Sequence, residues 1–171
     1  GLVAGLRLAG VGVETMVIDK ESQVSNDFRA STFHPPTLEM LDELGLTMGL
    51  LAEGLVSPTW QIRQHESHDK ALFDLSVLQA DTPYPFRLQC EQRVLTRLAD
   101  AKAQNTPNLL VQYGSELTHL DQDSTGVTAI IQTANGVEQI RARYLIAADG
   151  ARSICRKLTG MTFTGETYPE T

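Results

Sequence analysis

Apolar and small residues recur at helical spacing from the first positions: Leu2, Val3, Leu6, Leu8 and Ala9 form one pattern, which Gly10 and Gly12 close. Val13 to Asp19 then reads as a buried strand, because apolar and β-branched residues run together there. The opening unit is therefore helix, turn, strand, acid. Ser22 to Asp27 is a polar loop. Pro35 and Pro36 suit a helix entry, Leu38, Leu41 and Leu44 carry the helical spacing, and Gly45 supplies a stop. Between Leu46 and Tyr84 the periodicity is weak, and only Trp60 to Arg63 and Ala71 to Leu75 read as short strands.

Gln92 to Gln104 is the most regular helix, with Val94, Leu95, Leu98 and Ala101 expected on its inner face and Asn105 and Pro107 closing it. Strand patterns follow at Leu109 to Tyr113, Leu117 to Asp121, Val127 to Thr133 and Glu138 to Arg143. Asn135-Gly136 predicts the hairpin turn before the last of these, because both residues tolerate positive φ. Tyr144 to Ala148 predicts a further apolar strand that delivers Asp149-Gly150 to a sheet edge. The order of elements predicts an α/β fold: a parallel sheet with helices and a β-meander.

Composition keeps this a folded domain. Of 171 residues, 42% are hydrophobic and 20% charged, which is enough apolar material for a core. The net charge of -7 disfavours nucleic acid as a partner. Two distant cysteines, Cys90 and Cys155, without a C-x-x-C pair, predict free thiols in a reducing compartment. No apolar run is long enough for a membrane helix and no signal-peptide pattern opens the chain, so a cytoplasmic protein is expected. His65 and His68 lack the cysteines or carboxylates that would complete a metal site, so no metal is expected.

Two constellations carry chemistry. Asp19 follows Gly1 by 18 positions, which fits Gly1 as the third glycine of a G-x-G-x-x-G dinucleotide fingerprint and Asp19 as its ribose acid. The glycine would let backbone approach a pyrophosphate at a helix N-terminus, where unpaired N–H groups and the helix dipole favour negative charge. The second constellation is Asp149-Gly150-Ala151-Arg152-Ser153-Ile154-Cys155-Arg156.

That second string, D-G-x-x-S-x-x-R after an apolar segment, resembles the middle motif of the single-component flavoprotein monooxygenases typified by p-hydroxybenzoate hydroxylase. FRASTFHPPTLEMLDELGL and RLQCEQRVLTRLADA resemble two more segments of that family, in the family's order. The resemblance covers Gly1 to Asp19, Arg29 to Gly45, Gln89 to Ala103 and Tyr144 to Gly165. It implies a Rossmann-like FAD- and NAD(P)-binding fold over 1–171, with residues 46–87 as an insertion on the substrate side. It implies cofactor contacts at Gly1, Asp19, Arg29, Gln89, Asp149, Gly150, Arg152 and Arg156, and names no catalytic side chain. The implied cofactors are FAD and NAD(P)H. The implied partners are O2 and a small aromatic substrate, a phenol hydroxylated through a flavin C4a-hydroperoxide, and a homo-oligomer stays open. The family's ribose acid is usually glutamate, and Asp19 is one methylene shorter. The first fingerprint strand, its first two glycines and a later G-D motif are absent, so the chain reads as the FAD-binding portion of a longer parent, inactive alone. A halogenase or reductase on the same fold is the second reading, although a W-x-W-x-I-P string is absent and Trp60 is the one tryptophan. A non-catalytic fragment is the third.

Overall fold

The computed structural model describes residues 1–166, so the last five positions of the expected 1–171 domain lie outside the described residues. In chain order the elements are α1 (Leu2–Gly10), β1 (Thr15–Ile18), β2 (Thr32–Phe33), α2 (Pro35–Asp42), α3 (Thr47–Glu53) and β3 (Leu55–Ser57). Next come β4 (Thr59–Arg63), β5 (Lys70–Asp74), a 3-10 turn over Leu75–Leu78, β6 (Arg87–Gln89) and α4 (Gln92–Ala103). The chain continues with β7 (Leu109–Gln112), β8 (Glu116–Asp123), β9 (Gly126–Thr133), β10 (Gly136–Ala142) and α5 (Ile154–Leu158). Two units result: one holds Gly1, residues 16–23 and residues 111–166; the other holds residues 2–15 and 24–110. The fold class is the expected α/β one. β1 and β7 pair in parallel, with Thr15 N–H donating to the Asn108 carbonyl (2.8 Å) and Asp19 N–H to that of Gln112 (3.1 Å).

In the first unit, β8, β9 and β10 form an antiparallel meander in the order β10-β9-β8. Apolar residues alternate along the central strand, and Val127, Ala129 and Ile131 are buried while their neighbours face outward. α5 closes this core: Leu117, Ala129, Ile131 and Cys155 are buried together, with Ile18, Leu120, Ile140 and Leu158 packed around them. At the β8–β9 turn, Asp123 accepts from the Thr125 N–H (2.7 Å), the Gly126 N–H (3.1 Å) and the Arg141 guanidinium (2.7 Å). Arg141 and the Thr125 hydroxyl hold the Asp123 carboxyl far below the usual carboxylate range.

The hairpin between β9 and β10 differs from the expectation. Thr133 pairs directly with Gly136, so the turn residues are Ala134 and Asn135. Gly136 has φ +122°, while Asn135 is not among the positive-φ residues. The cause is Thr133: its hydroxyl accepts the Asn135 N–H (3.2 Å) and reaches the Gly136 carbonyl (3.1 Å), fixing the turn one residue early.

The second unit packs α1 and α3 against α4, and α2 against α3. Leu6, Leu38, Leu41, Leu50 and Leu88 are buried in its core. α2 ends as its leucines and glycine predict. Gly45 turns left-handed (φ +64°), Leu46 N–H donates to the Leu41 carbonyl (2.9 Å) and Gly45 N–H to that of Asp42 (2.7 Å). Along α4 the buried residues are Ala99 and Ala103, with Val94, Leu95 and Leu98 half-buried, whereas Ala101 is exposed. The inner face is thus rotated from the expected one: small alanines let α4 lie close, and the leucines fill its margin. α3, β2, β3 and β6 were not foreseen. β2 and β3 flank β6 in a three-stranded antiparallel sheet, and β4–β5 is a separate antiparallel hairpin that begins and ends close to the two short strands read from the sequence.

One expected strand does not form. Tyr144 to Ala148 has no regular structure, and Tyr144 and Ile146 are 85% and 60% exposed. A strand needs a neighbour for its N–H and C=O groups, and among the described residues this segment has no backbone hydrogen-bond partner. Its apolar sequence is therefore not enough to make it part of a sheet.

Candidate functional site

The expected cofactor residues fall into both units. In the first unit, Gly1 lies immediately before α1, and a Cβ placed on it would stand 3.4 Å from Val17 Cγ1. Gly1 thus lies within van der Waals range of the Val17 side chain of β1. Asp19 follows that same strand. Its backbone is pinned on both sides, by its N–H to the Gln112 carbonyl and by its own carbonyl, which accepts the Ser115 N–H (2.9 Å). Oδ1 accepts the Glu21 N–H (3.0 Å), which closes a small turn and orients the exposed carboxylate. The pair expected from spacing is therefore brought to the carboxyl half of one strand.

Asp149 and Gly150 form a cap for α5. Gly150 adopts φ +75°, Ser153 N–H donates to its carbonyl (3.1 Å), Asp149 Oδ2 accepts the Cys155 N–H (3.0 Å), and Ser153 Oγ accepts the Arg156 N–H (2.9 Å). These bonds satisfy N–H groups that would otherwise lack partners at a helix start. Arg152 is exposed, and Arg156 carries its guanidinium 5.4 Å from the Phe163 ring centroid. Arg156 and Ser153 line a cleft of about 500 Å³ together with Arg143, Tyr144, Cys155 and Met161.

The Asp149 carboxyl is under opposing influences. Partial burial pushes its pKa up, but the Cys155 N–H and the Ser153 hydroxyl outweigh this, and the net shift is downward. A carboxyl held low in the folded state contributes stability above its unfolded pKa, about 3.9. That contribution is lost as pH falls through the lower folded value. We therefore expect the stability advantage of the native protein over Asp149→Asn to be constant near neutrality and to shrink below about pH 4. Chemical denaturation at stepped pH checks this, and a pH-independent gap between the two proteins would refute it.

In the second unit, Arg29 is exposed on the loop before β2, with a 3.4 Å contact to Asp27. The two following residues tie this loop to the Gln89 region: the Ser31 carbonyl accepts the Cys90 N–H (2.8 Å) and the Ala30 carbonyl accepts the Gln92 N–H (2.9 Å). Arg29 is thus carried to the end of β6 and the start of α4, where Gln89 sits. Gln89 Oε1 accepts from the Thr32 hydroxyl (3.0 Å), which leaves its Nε2 amide as a directed donor. Gln89 lines a cavity of about 410 Å³ with Ser31, Cys90, Glu91, Arg93 and Val94. Thr32 was missed by sequence reasoning. The pairing of Thr32 with Gln89 spans 57 positions and joins strands of two and three residues, too short to show a period.

Burial pushes the Cys90 thiol up, aided by Glu53 and Glu91, and burial pushes Cys155 up, aided by Asp149. Among the described residues no group of three His, Cys, Asp or Glu could hold a metal. No helix among them is long and apolar enough to cross a membrane.

In the first unit a glycine and an oriented acid stand at one strand end; in the second unit a solvent-facing guanidinium and a side-chain amide stand at one helix start. Phosphates take guanidinium and backbone N–H donors, and a ribose diol takes a carboxylate.

A family described as FAD binding domain matches residues 1–170. The chain is 33% identical over 170 residues to para-nitrophenol 4-monooxygenase of Pseudomonas sp. (strain WBC-3), covering 99% of this chain and 42% of that protein. It is 29% identical over 171 residues to pentachlorophenol 4-monooxygenase of Sphingobium chlorophenolicum, covering 99% of this chain and 31% of that protein. The crystal structure of p-nitrophenol 4-monooxygenase PnpA from Pseudomonas putida DLL-E4 matches with a TM-score of 0.89 and 32% identity, over 98% of this chain and 42% of that one. The chain thus spans less than half the length of these relatives. By its match over almost every residue, the chain belongs to the FAD-binding domain family.

Proposed function

We propose that the protein carrying this chain is an FAD-dependent monooxygenase that uses NAD(P)H and O2 to hydroxylate a phenolic ring. The observation that supports it best is the joint presentation of Arg29 and Gln89 by hydrogen-bonded backbone at the start of α4. The names of the relatives, which act on para-nitrophenol and pentachlorophenol, supply the substrate class. When bound, FAD supplies the transfer of electrons from NAD(P)H and the activation of O2. The chain's residues bind and orient. In this reading Gly1 gives backbone access at the mouth of α1, and Asp19 accepts from the adenosine ribose. Arg29 neutralises phosphate charge, and Gln89 donates its Nε2 amide. Asp149 and Gly150 set the α5 cap from which Arg152 and Arg156 extend toward anionic groups. Residues 1–171 would form the FAD-binding portion, with 46–87 an insertion on the substrate side. Work in the cytoplasm is part of the same reading, consistent with Cys90 and Cys155 both being free and buried.

The test is turnover by the full-length, FAD-loaded protein given NAD(P)H, O2 and a phenol. Phenol-dependent NAD(P)H consumption with a hydroxylated product is expected. Consumption without any hydroxylated product across a panel of phenols would refute the activity. Arg29→Ala is expected to weaken FAD affinity by roughly tenfold or more, the usual loss for a charge-assisted hydrogen bond. Flavin retained after gel filtration measures it, and unchanged retention would remove Arg29 from the site.

A further inference from the structure

We propose that Arg93 is a positioning residue for Arg29, holding the Arg29 loop on α4 through the ring of Phe28. The inference rests on the FAD-contact reading of Arg29 above and names what keeps that guanidinium in place. Residues 24–31 have no regular structure, and residues 25–31 are exposed. Among the described residues, the hydrogen bonds made by residues 24–29 are local: Ser25 Oγ accepts the Asp27 N–H (3.1 Å), and Arg29 donates to Asp27 (3.4 Å). The backbone bonds that tie the loop to the start of α4 begin only at Ala30 and Ser31. On its upstream side Arg29 has no backbone tie of that kind.

Phe28 supplies the upstream contact. The Arg93 guanidinium carbon lies 4.9 Å from the Phe28 ring centroid, within reach of the attraction between a cation and an aromatic face. Phe28 is 78% exposed, so burial contributes little to holding the ring there. Arg93 lies in the first turn of α4, where a cation opposes the helix dipole, so α4 itself gains nothing from the charge. Glu91, the residue before the helix, pairs with Arg93 and fixes its side chain. The same turn supplies the Gln92 N–H that binds the Ala30 carbonyl. Arg29 is therefore bracketed: Phe28 is held by a side chain of α4, and Ala30 by its backbone. Arg93 also lines the cavity that Gln89 and Ser31 line, so the residue that holds the Arg29 loop borders the second proposed cofactor contact. A binding loop that leaves its place lowers affinity by the fraction of time it is away. An exposed cation–π contact shifts that balance by roughly two- to fivefold.

The test is the FAD affinity of the full-length protein, titrated from the flavin-free form, with unfolding midpoints measured alongside. Arg93→Gln and Phe28→Leu should each weaken FAD binding by roughly two- to fivefold with the midpoint unchanged. Phe28→Leu leaves the Arg93–Glu91 ion pair in place, so it separates the ring contact from that pair. It changes only an exposed ring, so it carries the test even if Arg93→Gln does not fold. Phe28→Tyr keeps an aromatic face and should restore native affinity. In an Arg29→Ala background, Arg93→Gln should have no further effect, because nothing remains to be positioned. Native affinity in Arg93→Gln or in Phe28→Leu overturns the proposal, as does a Phe28→Tyr protein as weak as Phe28→Leu. An Arg93→Gln loss repeated in full in the Arg29→Ala background overturns it too, because Arg93 would then touch the cofactor itself or act through the fold. Native affinity in Arg29→Ala alone is a separate failure: the FAD reading of Arg29 falls, and the positioning role falls with it.

Discussion

Gly126→Ala is expected to destabilise the first unit by on the order of 3 kcal/mol, the sum of backbone strain and overpacking. Gly126 opens β9 with φ +152°, a conformation that an L side chain rarely adopts. A Cβ there would overlap the Ala142 carbonyl oxygen and come within 3.2 Å of both the Ala142 carbonyl carbon and the Arg143 Cα. All three atoms are backbone, so no side-chain rotation relieves the clash. Any relief must move the end of β10 or the Asp123 turn, whose carboxylate already holds the Gly126 N–H. The midpoint of urea unfolding should fall with the slope unchanged. A variant as stable as the native protein would mean that β10 does not lie against Gly126 in the way described.

Leu88→Ala is expected to cost roughly 2–5 kcal/mol in the second unit, the range for a leucine truncated in a packed core. Leu88 is fully buried, pairs in register with Phe33 and Val56, and lies against Gly54, where an added Cβ would stand 2.8 Å from Leu88 Cδ1. Such tight surroundings collapse poorly around a cavity, so the upper half of the range is expected. The substitution also reads function. Leu88 anchors the strand that holds Gln89 and Arg87 on its other face, so FAD affinity should fall together with stability. Loss of stability with full flavin affinity would mean that β6 does not position the cofactor contact.

Much of the fold was legible because it is local. The α1 and α4 patterns span two or more turns, and the β8–β9–β10 meander runs through consecutive strands of seven or eight residues, of which the central one alternates. The β9–β10 turn was misplaced by one residue because the Asn135-Gly136 dipeptide is a general signal, whereas the Thr133 hydroxyl is a particular one. Tyr144 to Ala148 shows the limit of apolar composition: a strand is a relation between two segments, and sequence reports only one of them. β2, β3 and β6 were illegible for the same reason, and with them went Thr32, the residue that orients Gln89.

The candidate site was legible unequally. The Gly1 and Asp19 spacing needed only the connection from helix to strand, and the structure has both at the carboxyl half of β1. Arg29 and Gln89 came from resemblance to a family segment, since nothing periodic marks them. The Asp149-Gly150 string was read as a sheet-edge ligand motif, yet its hydrogen bonds are spent on capping α5. Both roles are compatible, because the cap determines where Arg152 and Arg156 begin.

The central claim, that Gly1, Asp19, Arg29 and Gln89 hold FAD, is tested most directly by flavin fluorescence titration of the full-length protein, with Asp19→Ala and Arg29→Ala measured alongside. Quenching that saturates with one FAD per chain in the native protein, and shifts to higher FAD concentration in both variants while their unfolding midpoints stay unchanged, is the predicted result. Saturation at the same FAD concentration in all three proteins would contradict it.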